Sequence, residues 1–340
     1  MLTHAILAAG NQVWPPFVLV VGLLLIGAVA ADDGLFEAMG ARLARSRLGP
    51  YGLLVGLLAL VAAVTAVLNL DTAVVFLTPV LVHAARHRGL DERPFLYGAV
   101  FMANAASLLL PGSNLTNLLV LRGDPQAGSS FAVEMLPAWL MACAITAAFV
   151  CAGFGLDQAG SRATATLSPI RLRVGGAATL VAALLVVLLR NPALPVLVVG
   201  ISAIALQRRR PRLDARVLAL LFVVTVTLGT LARLWHGPAS LLDSSGVWTV
   251  AGIGATASVV VNNLPATVLL TGRAPAHPFA LLLGLDLGPN LAVTGSLSAV
   301  LWLQAARSVG ARPSIATYTK LGVVLVPLTL VATVAVSSWG

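Results

Sequence analysis

Long apolar segments alternate with short polar ones along the whole chain. Uninterrupted apolar runs lie at residues 16–31, 134–156, 174–189, 193–206, 217–232 and 314–337. They suit transmembrane helices, which need about 20 residues, and they lack the alternating polarity of barrel strands. Residues 32–49 are polar with apolar positions at helical spacing, which predicts a short amphipathic helix at the membrane surface. We therefore expect an all-α polytopic membrane protein with one integral domain over residues 1–340.

Four further apolar runs are interrupted in their middle by polar residues. The runs cover 50–82, 94–121, 246–271 and 278–304, and the interruptions lie at 69–72, 111–117, 262–265 and 286–290. The interruptions recur in the same order in both halves. Asn-Leu-Asp-Thr-Ala-Val from Asn69 matches Asn-Leu-Pro-Ala-Thr-Val from Asn263, and Gly-Ser-Asn-Leu from Gly112 matches Gly-Pro-Asn-Leu from Gly288.

Interrupted hydrophobic segments repeated in both halves indicate the binding site of a secondary transporter. We expect two re-entrant hairpins and two broken transmembrane helices, arranged as an inverted repeat. Repeat one covers about residues 16–156 and repeat two about residues 193–337.

The distribution of basic residues tests this topology. Suppose that the runs 50–82 and 246–271 enter and leave the membrane on one side while all other runs cross it. One side then holds Arg42, Arg45, Arg47, Arg86, Arg88, Arg93, Arg162, Arg171, Arg173, Arg208, Arg209, Arg210, Arg212, Arg216, Arg307, Arg312 and Lys320. The other side holds Arg122, Arg190, Arg233 and Arg273. The first side is predicted to be cytoplasmic because cytoplasmic loops carry an excess of Lys and Arg.

Composition agrees with a membrane protein. Hydrophobic residues make up 59% of the chain and charged residues 10%, whereas soluble domains carry about 25% charged residues. The formal net charge of +9 is explained by the cytoplasmic loops, so we expect no nucleic-acid partner. Cys143 and Cys151 lie in one apolar run and are expected to be packing residues.

Two of the twelve acidic residues, Asp71 and Asp286, lie deep inside apolar runs. A charge at the bilayer centre costs about 2.5–3.5 kcal/mol on insertion scales, so such residues are candidates for function. No Lys, Arg or His lies at comparable depth. Since burial favours the neutral form of a carboxylate, both residues are candidates for proton coupling. Capping of a helix end by Asp71 is the structural alternative.

Neutral polar residues surround these carboxylates in the interruptions. The candidates for substrate binding are Asn69, Ser113, Asn114, Thr116, Asn117, Asn262, Asn263, Asn290, Thr294 and Ser296. With helix N-termini and freed carbonyls, they suit a small polyhydroxy or oxyanion solute, or a cation. A dicarboxylate fits less well because no basic residue lies at this depth. Local capping of the breaks is the alternative role for each amide.

Four segments resemble the arsenical pump membrane proteins (ArsB type) of the ion transporter superfamily. They are 33–79, which ends in Asn-Leu-Asp-Thr-Ala-Val-Val-Phe-Leu-Thr-Pro, 112–117 (Gly-Ser-Asn-Leu-Thr-Asn), 261–265 (Val-Asn-Asn-Leu-Pro) and 284–303. The last, which begins Gly-Leu-Asp-Leu-Gly-Pro-Asn-Leu-Ala-Val-Thr-Gly-Ser-Leu-Ser, is the most specific. The resemblance implies export of arsenite or antimonite in exchange for protons, and it leaves open a cytosolic ATPase subunit.

The leading hypothesis is therefore a proton-coupled exporter of a neutral metalloid hydroxide in the inner (plasma) membrane. It is not an enzyme, needs no cofactor or bound metal, and has lipid, its solute and protons as partners. A homodimer is left open. The alternatives are a sodium/proton antiporter that uses Asp71 and Asp286, or another ion or anion transporter of the superfamily. An intramembrane protease is a remote alternative, because its Gly-x-Gly-Asp context is absent.

Overall fold

The computed structural model describes residues 2–121, 128–156, 173–207, 215–235 and 237–337. These residues form α-helices joined by short loops. The helices are α1 (Leu2–Asp32), α2 (Leu35–Ala44), α3 (Pro50–Val67), α4 (Leu70–His87), α5 (Arg93–Ala106), α6 (Leu115–Val120), α7 (Gly128–Gly153), α8 (Val174–Leu188), α9 (Ala193–Gln207), α10 (Ala215–Leu234), α11 (Gly237–Ser240), α12 (Val247–Val261), α13 (Asn263–Leu270), α14 (Pro278–Leu287), α15 (Leu297–Ser308) and α16 (Ile315–Val336).

Four of the described helices, α1, α3, α7 and α16, are long and apolar enough to cross a membrane by themselves. Shorter apolar helices occur at α8, α9, α10 and α12. The prediction of an all-helical, multi-span membrane protein is confirmed at this level. A helix within the polar stretch 32–49 is also confirmed, as α2.

The first helix begins earlier than the sequence pattern predicts. The apolar run predicts a first span over about residues 16–31, but α1 begins at Leu2 and contains Pro15 and Pro16. A tertiary contact holds the extra turns, since the Arg233 guanidinium donates hydrogen bonds to the Ala8 carbonyl and to the Gln12 side chain.

All four predicted interruptions are helix breaks. Residues 68–69 separate α3 from α4, and a single junction at Asn262 separates α12 from α13. The α5–α6 break contains one 3-10 turn at Pro111–Ser113. The α14–α15 break is longer than expected, because two 3-10 turns, Gly288–Leu291 and Val293–Gly295, precede the start of α15.

Hydrogen bonds join many of the helix ends to one another, and the joined helix ends form two sets. Arg86 donates to the Val309 carbonyl, Arg88 to the Ala44 and Ser46 carbonyls, and Asp33 accepts from the Gly175 N–H. We call this set, which covers residues 33–49, 86–93, 173–175 and 309–314, the basic end. Contacts of Arg233 with Gln12 and of Arg273 with Asp243 lie in the second set. Each of these contacts joins loops that the basic-residue pattern places on one side of the membrane.

Several predicted loop residues lie outside the described part of the chain. They are Arg122, Arg162, Arg171, Arg208, Arg209, Arg210 and Arg212.

Candidate functional site

Each of the four breaks is followed by a helix whose first N–H groups are capped by a predicted site residue. Asn69 Oδ1 accepts from the Thr72 N–H at 2.7 Å, and Asn114 Oδ1 from the Thr116 N–H at 3.2 Å. The other two caps are Asn262, whose Oδ1 accepts from the Leu264 N–H, and Ser296, whose Oγ accepts from the Ala299 N–H. Such caps contribute about 0.5–2 kcal/mol each, so these four residues have a structural role as well as a candidate functional one.

The capped helix ends face a common cavity of about 890 Å³. First-turn residues of α4, α6, α13 and α15 all line it. Helix N-termini carry partial positive charge from their free N–H groups. The cavity is therefore electrically suited to a solute with oxygen acceptors, even though the described residues lining it include no Lys, Arg or His.

Predicted residues from both halves of the chain meet at this cavity. Those that line it are Asp71, Asn114, Thr116, Asn262 and Asn263. Apolar residues of α1 and α10, including Phe17, Val20 and Leu221, form much of the opposite wall. Asp32 and Gln304 lie at the margin that approaches the basic end.

Asp71 is the carboxylate that lines the cavity at its capped helix ends. It is half-buried in the first turn of α4, and its Oδ1 accepts a 2.6 Å hydrogen bond from the Ser298 hydroxyl in the first turn of α15. Two helices of different halves thus meet N-terminus to N-terminus at this pair. The sequence analysis missed Ser298, although a hydroxyl two residues after the capping Ser296 was the available signal.

The second predicted carboxylate, Asp286, does not line the cavity. It is completely buried near the end of α14, and its Oδ1 accepts a 2.9 Å hydrogen bond from Asn114 Nδ2. Asn114 therefore connects the cavity to a second, buried polar region behind it. Asp71 thus lines the cavity and Asp286 does not, although the sequence made both residues candidates for proton coupling.

The remaining predicted residues lie around the breaks rather than along the cavity. Asn117 and Ser113 both donate to the Ser107 and Leu110 carbonyls, which the end of α5 leaves free. Asn290 is buried, and its Oδ1 accepts from Asn104 Nδ2 at 2.7 Å. The Thr294 carbonyl accepts from Asn262 Nδ2. These bonds satisfy backbone groups that lipid cannot hydrate.

Asn104 and Ser107 were also missed by the sequence analysis. Both are completely buried at the end of α5, where they contact Asn290 and Asn114. Asn104 lies inside an apolar run, which is the same signal that identified the other amides. Asn104 lies outside the polar interruption at 111–117, so the pattern of polar residues did not identify it as a candidate.

Comparison with known proteins places the chain among transporters. The family described as "Citrate transporter" (CitMHS) matches residues 3–294. The arsenical pump membrane protein of Escherichia coli (strain K12) is 25% identical over 370 aligned residues, which cover 96% of this chain and 86% of that protein. The silicon efflux transporter LSI3 of Oryza sativa subsp. japonica is 29% identical over 117 residues, or 34% of this chain and 24% of that protein.

Among solved structures, the YdaH transporter of Alcanivorax borkumensis has the same overall fold. The TM-score is 0.61 at 16% sequence identity, and the superposition covers 98% of this chain and 87% of that structure. Fold likeness alone does not assign a substrate. The family match is to transporters rather than enzymes and spans well over half of the chain, so this protein belongs to the citrate transporter (CitMHS) family of the ion transporter superfamily.

Proposed function

We propose that this protein exports a small neutral metalloid hydroxide, such as arsenite or antimonite, across the inner membrane in exchange for protons. The observation that carries the proposal is the composition of the cavity wall. Two carboxylates, three asparagine amides and several hydroxyls line it, and no basic side chain is among the described lining residues. A tricarboxylate such as citrate carries several negative charges, and two lining carboxylates, Asp32 and Asp71, would repel it.

The chemistry of the relatives agrees with this choice. The relatives are named for arsenical and silicon transport, and the trivalent arsenic and silicon hydroxides are both small and mostly uncharged at neutral pH. Hydroxyl groups can donate to Asp71 and accept from amide N–H groups and helix N-termini. Cys143 and Cys151 lie on α7, away from the cavity wall. The absence of a thiolate cage there allows the solute to leave.

Coupling of solute export to protons would follow because the solute and a proton compete for the Asp71 carboxylate. An ionised carboxylate only accepts hydrogen bonds, whereas a protonated one also donates and accepts less well. The solute hydroxyls therefore bind best when Asp71 is ionised, and a proton that arrives from outside displaces them. The cavity reaches Asp32 and Gln304 near the basic end, so we infer that this conformation is open to the cytoplasm.

The inverted repeat provides the second conformation. The tip between α3 and α4 contacts α15 of the other half, while α13 contacts α6. Each re-entrant hairpin would thus abut the broken helix of the opposite repeat. Movement of the two hairpins at these contacts, between inward-open and outward-open states, gives alternating access.

Transport into everted membrane vesicles with an acidic interior tests the proposal. Arsenite, antimonite, silicic acid and citrate are compared, with and without a proton gradient, and vesicles lacking the protein are the control. We expect gradient-dependent accumulation of arsenite and antimonite. Accumulation of citrate alone, or sodium movement without metalloid transport, would contradict the proposal and favour a carboxylate carrier or a sodium/proton antiporter, respectively.

A further inference from the structure

A surface patch that is both basic and apolar lies where α2 ends and α3 begins. All of its side chains are exposed, and they are Arg42, Arg45, Arg47, Leu48 and Tyr51. We call these five residues the α2 patch. Glu37 is the one acidic residue of the segment 35–51, and it lies in the first turn of α2, at the far end from the arginines. The patch therefore carries concentrated positive charge beside large apolar side chains.

A fourth arginine, Arg88 at the end of α4, fixes the backbone of the patch. Its guanidinium donates to the Ala44 carbonyl at 3.0 Å, to the Ser46 carbonyl at 3.2 Å and to the Leu48 carbonyl at 2.8 Å. These three bonds hold the loop that carries the second and third arginines of the patch. A site whose backbone is already ordered loses less conformational entropy when it binds a ligand.

The neighbouring helices put the α2 patch at the membrane surface. Both α1 and α3 are long and apolar enough to cross a membrane, and α2 with its following loop lies between the end of α1 at Asp32 and the start of α3 at Pro50. This is the level of the lipid headgroups, where Tyr is enriched and where basic residues attract the anionic lipids of the cytoplasmic leaflet. A phospholipid offers the matching chemistry, because it joins an anionic phosphate to acyl chains.

The helix that carries the patch also contacts the wall of the transport cavity. The Phe36 ring of α2 stacks on the Phe76 ring, with centroids 5.8 Å apart and an interplanar angle of 19°, and Phe76 lines the cavity. Gly40 of α2 lies so close to Val80 that a Cβ atom there would be 2.1 Å from the Val80 Cγ1 atom. Phe76 and Val80 belong to α4, whose first turn carries Asp71. A ligand that holds α2 in place therefore also holds this part of the cavity wall.

We propose that the α2 patch binds the headgroup of an anionic phospholipid of the cytoplasmic leaflet, and that the bound lipid holds α2 against α4. The three arginines contact the phosphate, while Leu48 and Tyr51 contact the glycerol and the first acyl carbons. The lipid composition of the membrane thus acts on the cavity wall from outside the cavity. This goes beyond the proposed metalloid transport and does not require it.

Lipid titration of the purified protein in a nonionic detergent tests the site, with bound lipids counted by native mass spectrometry. The probes are phosphatidylglycerol and phosphatidylcholine with identical acyl chains. We expect the wild type to bind phosphatidylglycerol more tightly than phosphatidylcholine. Arg42→Gln combined with Arg47→Gln should weaken phosphatidylglycerol binding by about 25-fold, since each arginine near a lipid surface contributes about fivefold. Inorganic phosphate at the concentration of the lipid should not displace it, because phosphate lacks the apolar part.

Arg307→Gln combined with Arg312→Gln is the matched control. It removes the same charge from exposed positions that the basic-residue pattern places on the same side of the membrane, and it should bind phosphatidylglycerol as the wild type does. An equal loss of affinity in both double variants would overturn the proposal, because it would show general attraction to a basic surface. Equal affinity of the wild type for the two lipids, or full displacement of the lipid by inorganic phosphate, would also overturn it.

Hydrogen exchange followed by mass spectrometry tests whether the lipid holds α2. In the wild type, phosphatidylglycerol should slow exchange in residues 35–44 relative to phosphatidylcholine, and the Arg42→Gln, Arg47→Gln variant should lose this effect. Thermal unfolding without added lipid shows whether that variant is folded. If it is not, Arg47→Gln alone, which lies outside α2, should still weaken binding by about fivefold. Lipid binding without slower exchange would contradict the proposed effect on α2.

Discussion

At the scale of single residues, a hydrogen bond from Ser298 to Asp71 connects the two halves of the transporter. Asp71 is half-buried at the cavity, and it accepts one side-chain hydrogen bond, from Ser298. One carboxylate oxygen is thus held in place while the cavity-facing side of the group stays available to a proton or a solute. This arrangement gives the carboxylate a role that a simple helix cap does not need, because Asn69 already caps α4.

The substitution Asp71→Asn should separate binding from coupling. Asparagine keeps the size and an acceptor oxygen but cannot take up a proton. We expect solute counterflow to persist, while proton-driven accumulation of arsenite in everted vesicles falls to the level of vesicles without the protein. Asp243→Asn, which changes an exposed carboxylate paired with Arg273, is the matched control. Wild-type accumulation by Asp71→Asn would remove this carboxylate from the coupling mechanism.

Asn262 combines a cavity position with an unfavourable backbone. Its φ of 76° and ψ of 147° lie in a region that is nearly restricted to glycine, and such residues cost about 1–3 kcal/mol each. Its side chain caps α13 and donates to the Thr294 carbonyl. Strain that persists beside a cavity suggests that the amide is needed there for more than capping.

Replacement of Asn262 by glycine should raise stability and lower transport. Glycine relieves the backbone strain, and as an N-cap it is only a few tenths of a kcal/mol worse than asparagine. The midpoint of thermal unfolding should therefore rise, while metalloid transport drops because the cavity amide is lost. Asn262→Ala keeps the strain and loses the cap, so it should lower both quantities. Equal transport by Asn262→Gly and wild type would assign Asn262 a purely structural role.

At the scale of helices, the crossing of α12 and α14 depends on glycine. A Cβ atom at Gly284 would lie 2.1 Å from the Ala251 carbonyl oxygen, and one at Gly254 would lie 2.9 Å from the Leu281 carbonyl oxygen. The two backbones are therefore in direct contact. This packing fixes the position of α14, whose last turn carries Asp286 into the interior.

A single added methyl group at Gly284 should disrupt this crossing. The clash is with backbone, which cannot move aside as a flexible side chain can, and overpacking of this kind costs about 1–3 kcal/mol or more. Gly284→Ala should lower the midpoint of thermal unfolding and reduce transport. Gly252→Ala is the matched control on α12, because nothing lies within 4 Å of a Cβ atom there. An unchanged midpoint for Gly284→Ala would show that the helices separate more easily than this contact implies.

An aromatic cluster also connects helices of the two halves. The Trp302 ring of α15 packs at a tilt against the rings of Tyr97 and Tyr318, with ring centroids 5.4 and 5.5 Å apart, and its Nε1–H donates to the Leu96 carbonyl. The Tyr318 hydroxyl donates to the Pro289 carbonyl in the α14–α15 break. Buried aromatic pairs contribute about 0.5–1.5 kcal/mol beyond the area they bury. The cluster therefore stabilises the helix segments that position the cavity.

At the scale of the whole molecule, the sorting of helix ends into two sets predicts a membrane orientation. The basic end carries most of the described Arg residues, so it should face the cytoplasm. The cavity margin at Asp32 and Gln304 lies near that end. A solute to be exported would enter from there in the conformation described.

Cysteine labelling can test the orientation at described, exposed positions. In a background with Cys143→Ala and Cys151→Ala, Ser308→Cys should react with an impermeant maleimide only in everted vesicles. Asn191→Cys and Ser240→Cys should react only in intact cells or right-side-out vesicles. All three serine or asparagine positions are exposed. Labelling of Ser308→Cys and Ser240→Cys from the same face would contradict the inverted-repeat topology.

Much of the fold could be predicted from the sequence, because lipid restricts the choices. An apolar run in a membrane must satisfy its own backbone hydrogen bonds and is therefore helical. Polar groups inside such a run are costly, so the residues from Asn69, Pro111, Asn262 and Asp286 onward identified the four breaks. The apolar run did not predict the turns of α1 before residue 16, because a contact with Arg233 from a distant segment helps to hold them.

The roles of the polar residues were decided by the tertiary structure. Ser298 meets Asp71 across 227 residues of sequence, Asn114 meets Asp286 across 172, and Asn104 meets Asn290 across 186. The sequence alone determined that polar groups would be concentrated at the breaks of membrane helices. Only the packing of the two halves placed Asp71 at the cavity and Asp286 in the buried interior. Hydrogen bonds between distant segments depend on how helices cross, and no local pattern encodes that crossing.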